Sequence, residues 1–220
     1  MSPQPPDFNR LLADGREHDA SGFRSGCVAT VRILRGDRLR LPTGRLVAAE
    51  PPGNFPDGAQ RCAFTHAVPP GDYPVELVMA DYTDPGNPQG NTAYDAVAAA
   101  RVVVRAEPVN AWRLALCDGQ DEADLAEGHI YAYPVDGGIG AFGSPEVFDV
   151  LGRNEEARED LLVDASFGSD EPYVTYTDEA TGNNLVLFRS GNGDGRYATW
   201  VGYTAEGEVA CFLTDFGLLT

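Results

Sequence analysis

Glycine and proline set the first limit on what this chain can build. Its 25 glycines and 16 prolines break it into short segments, most of which alternate or carry β-branched and aromatic residues. Such segments suit strands better than helices. Cys27 to Leu34, Arg38 to Leu41 and Arg45 to Ala49 read as three strands, split at Gly36-Asp37 and by the turn Pro42-Thr43-Gly44. A Pro- and Gly-rich loop follows from 51 to 60, and a long polar loop is expected over 84–91. Tyr73 to Met79, Ala100 to Ala106 and Trp112 to Leu116 are further strands. The last fifty residues read as an antiparallel meander: Tyr173 to Tyr176, Leu185 to Phe188, Tyr197 to Tyr203 and Val209 to Leu213. Asn192-Gly193-Asp194-Gly195 and similar connectors supply hairpin turn chemistry.

One region breaks this pattern. Ser144-Pro145-Glu146 puts a hydroxyl at an N-cap, proline at the first helical position and an acid in the first turn. Asn154-Glu155-Glu156 restarts a second acidic helix. The expectation is a mainly β, α+β fold: antiparallel sandwich or barrel-like sheets, one helical insertion around 144–163, and the C-terminal meander. Residues 1–20 read as a partly flexible N-terminal arm and 21–220 as one β-rich domain.

Charge narrows the chemistry. Thirty-four acids face 16 cations, a net charge of −18, and all 16 cations are arginine. Without lysine there can be no pyridoxal-phosphate Schiff base and no P-loop nucleotide site, each of which needs one particular lysine. Nucleic acid is an unexpected partner for so acidic a chain. No apolar run approaches a membrane span and no signal peptide is visible, so neither membrane nor export is expected. Cys27, Cys62, Cys117 and Cys211 show no Cys-x-x-Cys pairing. They read as buried free thiols in a reducing cytoplasm.

Candidate site residues lie in glycine-rich loops at strand ends. Asp136 is followed by Gly137 and Gly138, which leave backbone N–H groups open to a ligand; the same string also suits an Asx-turn. Asp194 lies between Ser190 and Tyr197, where Asn-Gly and Asp-Gly equally make hairpin turns. Asp136, Asp194 and Tyr197 are the candidate catalytic groups; Gly137, Gly138, Ser190, Arg196 and Trp200 are the candidate ligand contacts. Trp112, Phe142 and Trp200 would line the pocket. Asp215 ends the last strand, and if the fold gathers Asp136, Asp194 and Asp215 they could hold a divalent metal such as Mg²⁺ or Ca²⁺.

Three blocks carry a resemblance. Gly71-Asp-Tyr-Pro-Val75 precedes a valine-rich strand. Tyr133-Pro-Val-Asp-Gly-Gly138 is followed by Ala141-Phe142. Ser190-Gly-Asn-Gly-Asp-Gly-Arg-Tyr197 runs on to Thr214-Asp215-Phe216. Together, over about residues 38–217, the chain resembles a bacterial family of unknown function, number 4241 in its series. The resemblance implies a cytosolic, mostly β protein with no assigned activity. Two functional expectations stand side by side. One is binding or processing of a small polar ligand at the Asp136 and Asp194 loops. The other is an interaction module, such as an immunity-type inhibitor of a basic protein, with no catalysis.

Overall fold

The computed structural model describes residues 3–21, 25–51, 62–83, 86, 92–163 and 171–219. The expected loops at 51–60 and 84–91 lie outside these residues, apart from Pro51 and Gly86. Helix α1 (Phe8–Leu11) leads into strand β1 (Glu17–Asp19) and the 14-residue strand β2 (Val28–Leu41). Strands β3 (Arg45–Ala49), β4 (Ala63–Ala67), β5 (Gly71–Thr83), β6 (Thr92–Val103) and β7 (Ala111–Leu114) follow. The ribbon strand β8 (Tyr133–Val135) and strand β9 (Ile139–Gly143) precede helices α2 (Pro145–Arg153) and α3 (Glu155–Val163). Strands β10 (Tyr173–Thr177), β11 (Asn184–Arg189), β12 (Gly195–Tyr197), β13 (Thr199–Tyr203) and β14 (Val209–Asp215) complete the chain.

All the strand pairings are antiparallel. A large sheet runs β1-β2-β5-β6-β14-β13-β7, a smaller one β10-β11-β9-β3-β4, and β12 and β8 form a separate ribbon. Alternation decides which side chains meet. Leu39, Leu77, Val102 and Phe212 of the large sheet pack against Leu46, Phe142, Val186 and Phe188 of the small one, forming the core between the sheets. The mainly β architecture and the helical insertion therefore stand as expected. The C-terminal strands divide into two hairpins, β10–β11 in the small sheet and β13–β14 in the large one.

Each sheet is also covered on its outer face. Val147, Phe148 and Leu151 of α2 and Leu161 of α3 pack onto Val47, Ala141, Leu185 and Leu187. Proline at the first position and Glu146 in the first turn fit the start of α2, but the Ser144 hydroxyl makes no capping bond. Asn154 does cap α3, its Oδ1 accepting from the Ala157 N–H at 3.1 Å. On the other side, Phe8 and Leu11 are buried beside Trp112 and Trp200, Phe8 lying 4.8 Å and 5.7 Å from those rings. The segment expected as an arm thus supplies the cover of the large sheet.

Strand lengths differ from the sequence reading for physical reasons. Gly36-Asp37 does not end β2: the register against β5 slips between Arg35 and Arg38, a bulge that bends the strand without stopping it. Strand β6 begins eight residues before Ala100 because Ala96 to Ala100 is buried on both faces. Burial overrides the low strand preference of alanine. The cysteine expectation is corrected in part. Cys27 and Cys211 are buried free thiols, whereas Cys62 and Cys117 form a disulfide with Cα atoms 5.9 Å apart. A separation of 55 residues hides this pair in the sequence. The fold joins them because Phe64 bridges to Cys117 and the Thr65 N–H donates to the Leu116 carbonyl, linking the edges of the two sheets. The disulfide removes half of the free-thiol pattern on which the expectation of a reducing compartment rested. Among the described residues no helix is long and apolar enough to cross a membrane.

Candidate functional site

The two glycine loops singled out in the sequence are neighbours. In the β8–β12 ribbon Tyr133 faces Tyr197, Pro134 faces Arg196 and Val135 faces Gly195. Asp136 and Asp194 are the next residues beyond that pairing, and both are exposed. The Ser190 N–H donates to the Gly138 carbonyl at 3.0 Å. Gly138 has φ +67°, and a β-carbon there would stand 3.5 Å from Gly193 Cα. Glycine at 138 is therefore set by a left-handed backbone at the meeting of two loops. Gly140 has a different reason: a β-carbon would come within 2.7 Å of the Phe188 ring.

Beneath this pair lies a group the sequence reading missed. Glu50 follows β3, and only 7 % of its surface is exposed. Its Oε1 accepts from the backbone N–H groups of Gly137 at 2.6 Å and Asp136 at 3.1 Å. The open amides expected of Gly137 are thus used by a carboxylate of the chain itself. Among the described residues nothing hydrogen-bonds to the second oxygen, Oε2. Burial pushes the Glu50 carboxyl above the usual range; the two amide bonds pull it back, and the Asp136 and Asp194 charges raise it further. Three carboxylates therefore share one neighbourhood, and no ion pair meets Asp136 or Asp194 among the described residues. A signal for Glu50 was present in the sequence, since it interrupts an apolar run just before two prolines.

The other candidates serve the loop itself. Ser190 is fully buried and its Oγ donates to the Gly193 carbonyl at 2.9 Å. The Tyr197 hydroxyl lies 2.7 Å from the same carbonyl and 3.1 Å from that of Ser190. Its ring meets Phe216 edge-on at 4.9 Å. Burial raises the Tyr197 hydroxyl above its ordinary value. A phenol with a raised pKa and its proton engaged is a brace for the loop.

Five expected members lie elsewhere. Arg196 turns along the ribbon, where its Nη2 donates to the Ala132 carbonyl at 3.0 Å. Trp200 and Trp112 pack under α1 on the outer face of the large sheet, while Phe142 lies between the sheets, so the three rings line no common pocket. Asp215 ends β14 on the large sheet and accepts from the Gly217 N–H at 2.9 Å in a tight turn. Among the described residues no three His, Cys, Asp or Glu groups are placed to hold a metal ion, and this includes the Asp136, Asp194 and Asp215 set.

The chain belongs to the DUF4241 family, described as proteins of unknown function, which it matches over residues 39–214. Both glycine loops, Glu50 and the whole ribbon fall inside that span. No curated protein and no solved structure matches the chain.

Proposed function

We propose that this protein binds a small polar ligand through a cationic group, an ammonium or guanidinium, at the Asp136–Asp194 end of the ribbon. The observation that carries this reading is Glu50: a buried carboxylate with one unpartnered oxygen, beneath two exposed carboxylates with no ion pair among the described residues. Burying a charge beside like charges is unfavourable unless an opposite charge arrives. That no three His, Cys, Asp or Glu groups among the described residues are placed to hold a metal ion favours an organic cation. A metal needs several oxygens converging within about 2.0–2.6 Å of one point. A guanidinium instead spreads five N–H donors in a planar fork and can bridge carboxylates that do not converge. The reading is of binding rather than catalysis, because the hydroxyls of Ser190 and Tyr197 are engaged within their own loop.

The net charge of −18 supports a second source for the same chemistry, namely arginine or lysine side chains of a basic protein partner. Calorimetric titration with agmatine, methylammonium and an arginine-rich peptide separates the two. A small-ligand site binds agmatine with an affinity comparable to the peptide. A partner-binding face takes the peptide alone, with steep salt dependence. In either case the D136N/D194N double variant loses at least tenfold in affinity. Equal binding by wild type and variant would overturn the proposal.

A further inference from the structure

A second site lies where the edges of the two sheets meet. A cavity of about 340 Å³ is bounded by β4, the segment after β7 and the base of the ribbon. Its apolar wall includes Phe64, Ile130, the Tyr131 ring and the Cys62–Cys117 disulfide. Ile130 is 39 % exposed, one of two large apolar side chains so exposed among the described residues. None of the described lining residues is acidic, although 34 of the 220 residues are Asp or Glu. Among the described lining residues the charged side chain is Arg196.

The lining offers spare hydrogen-bond donors, and the unpartnered Tyr133 hydroxyl among the described residues can add another. Arg196 gives one bond, to the Ala132 carbonyl, and no carboxylate pairs with it among the described residues. The Gln120 Oε1 accepts from the Cys117 N–H at 2.9 Å, which leaves its amide N–H groups without a protein acceptor among those residues. The Tyr131 hydroxyl is already engaged, donating to the Asp121 carbonyl at 3.1 Å. A ligand that completes this lining brings acceptors and negative charge at one end and a flat apolar body at the other. The volume stands near the low end of the range for small-molecule sites, about 300–1,000 Å³, which suits a single ring. One guanidinium and one amide match the two oxygens of a carboxylate. A dianionic phosphate would meet a single cation within a strongly negative chain.

We infer that this cavity binds a small aromatic carboxylate, with its anionic group on Arg196 and its ring against Phe64, Tyr131 and the disulfide. The site is independent of the Asp136–Asp194 reading and takes a ligand of opposite charge. The test titrates benzoate, benzylammonium and phenyl phosphate against the full chain by saturation-transfer NMR. Three variants accompany it: Arg196→Met, which keeps the aliphatic stem; Ala132→Trp, which fills the mouth; and D136N/D194N. Benzoate should bind saturably and more tightly than either analogue. Its affinity should fall at least tenfold in Arg196→Met, and also in Ala132→Trp, and hold within twofold in D136N/D194N. Absence of benzoate binding, equal binding of benzylammonium, or benzoate affinity untouched by both cavity variants would overturn the inference. Tighter binding of phenyl phosphate would contradict the carboxylate class. Should Arg196→Met fail to fold, Ala132→Trp and the charge series decide.

Discussion

Within a few residues of one another, two sets of polar groups live under opposite conditions. Ser190, Tyr197 and Thr199 are buried and engaged: Ser190 and Tyr197 meet the Gly193 carbonyl, and the Thr199 hydroxyl meets Thr214 at 2.8 Å. At the tip of the same ribbon, the carboxylates of Asp136 and Asp194 and the Oε2 oxygen of Glu50 have no partner among the described residues, while Glu50 Oε1 is held by two backbone amides. Residue type alone marks Ser, Tyr and Asp alike as candidate chemistry. Their partners separate those that hold the loop shut from those left available to something outside it.

The largest test of the division falls on Glu50. Replacing it with leucine leaves the Asp136 and Gly137 N–H groups without their acceptor, and urea unfolding at pH 7 should show a loss of about 2–3 kcal/mol. Glu50→Gln keeps an acceptor and removes the charge, so it should match or exceed wild-type stability at pH 7. Here the sign follows from proton linkage. The folded protein holds the Glu50 proton to higher pH than the unfolded chain. The wild type therefore loses stability as pH rises from about 4, near the free glutamate value, through the raised pKa. The advantage of Glu50→Gln should grow across that interval and vanish below it; a constant gap would show that Glu50 does not titrate in the way described.

Tyr197→Phe comes next. It should cost about 1–2 kcal/mol, the net value of a buried hydrogen bond with its acceptors partly orphaned, and leave cation affinity unchanged. A variant with full stability and lost affinity would move Tyr197 from brace to receptor. The smallest effect belongs to Asp136→Asn and Asp194→Asn, whose stabilities should stay within about 0.5 kcal/mol of wild type while cation binding weakens. A large stability loss there would make the two aspartates structural, collapsing the comparison.

Much of the fold was legible because it depends on local signals. Turn residues and alternation located most of the longer strands but not β1, β4 or β9, and the Ser144-Pro145-Glu146 start located α2 but no signal marked α1. The bulge at Gly36-Asp37 and the alanine-rich half of β6 were not legible, because both depend on partners distant in sequence. The same limit governed the site. Glycine-rich strings pointed to two loops joined by the Ser190 N–H to Gly138 carbonyl bond, and Asp136 and Asp194 follow directly on the last paired residues of the ribbon. Trp200 lies on the outer face of the large sheet because alternate residues of β13 point to opposite faces, and Asp215 closes a turn at the end of β14. Glu50 lies 86 residues from the Asp136 amide it serves, a separation no local pattern reports.

The central claim, that the ribbon tip receives a cation, is tested most directly by amide NMR during a titration with agmatine. Saturable shifts are expected at the amides of Asp136, Gly137 and Asp194, with Gly137 moving most because its N–H is bonded to Glu50, and those shifts should be lost in D136N/D194N. Shifts confined to other parts of the chain, or the same shifts in the double variant, would contradict it.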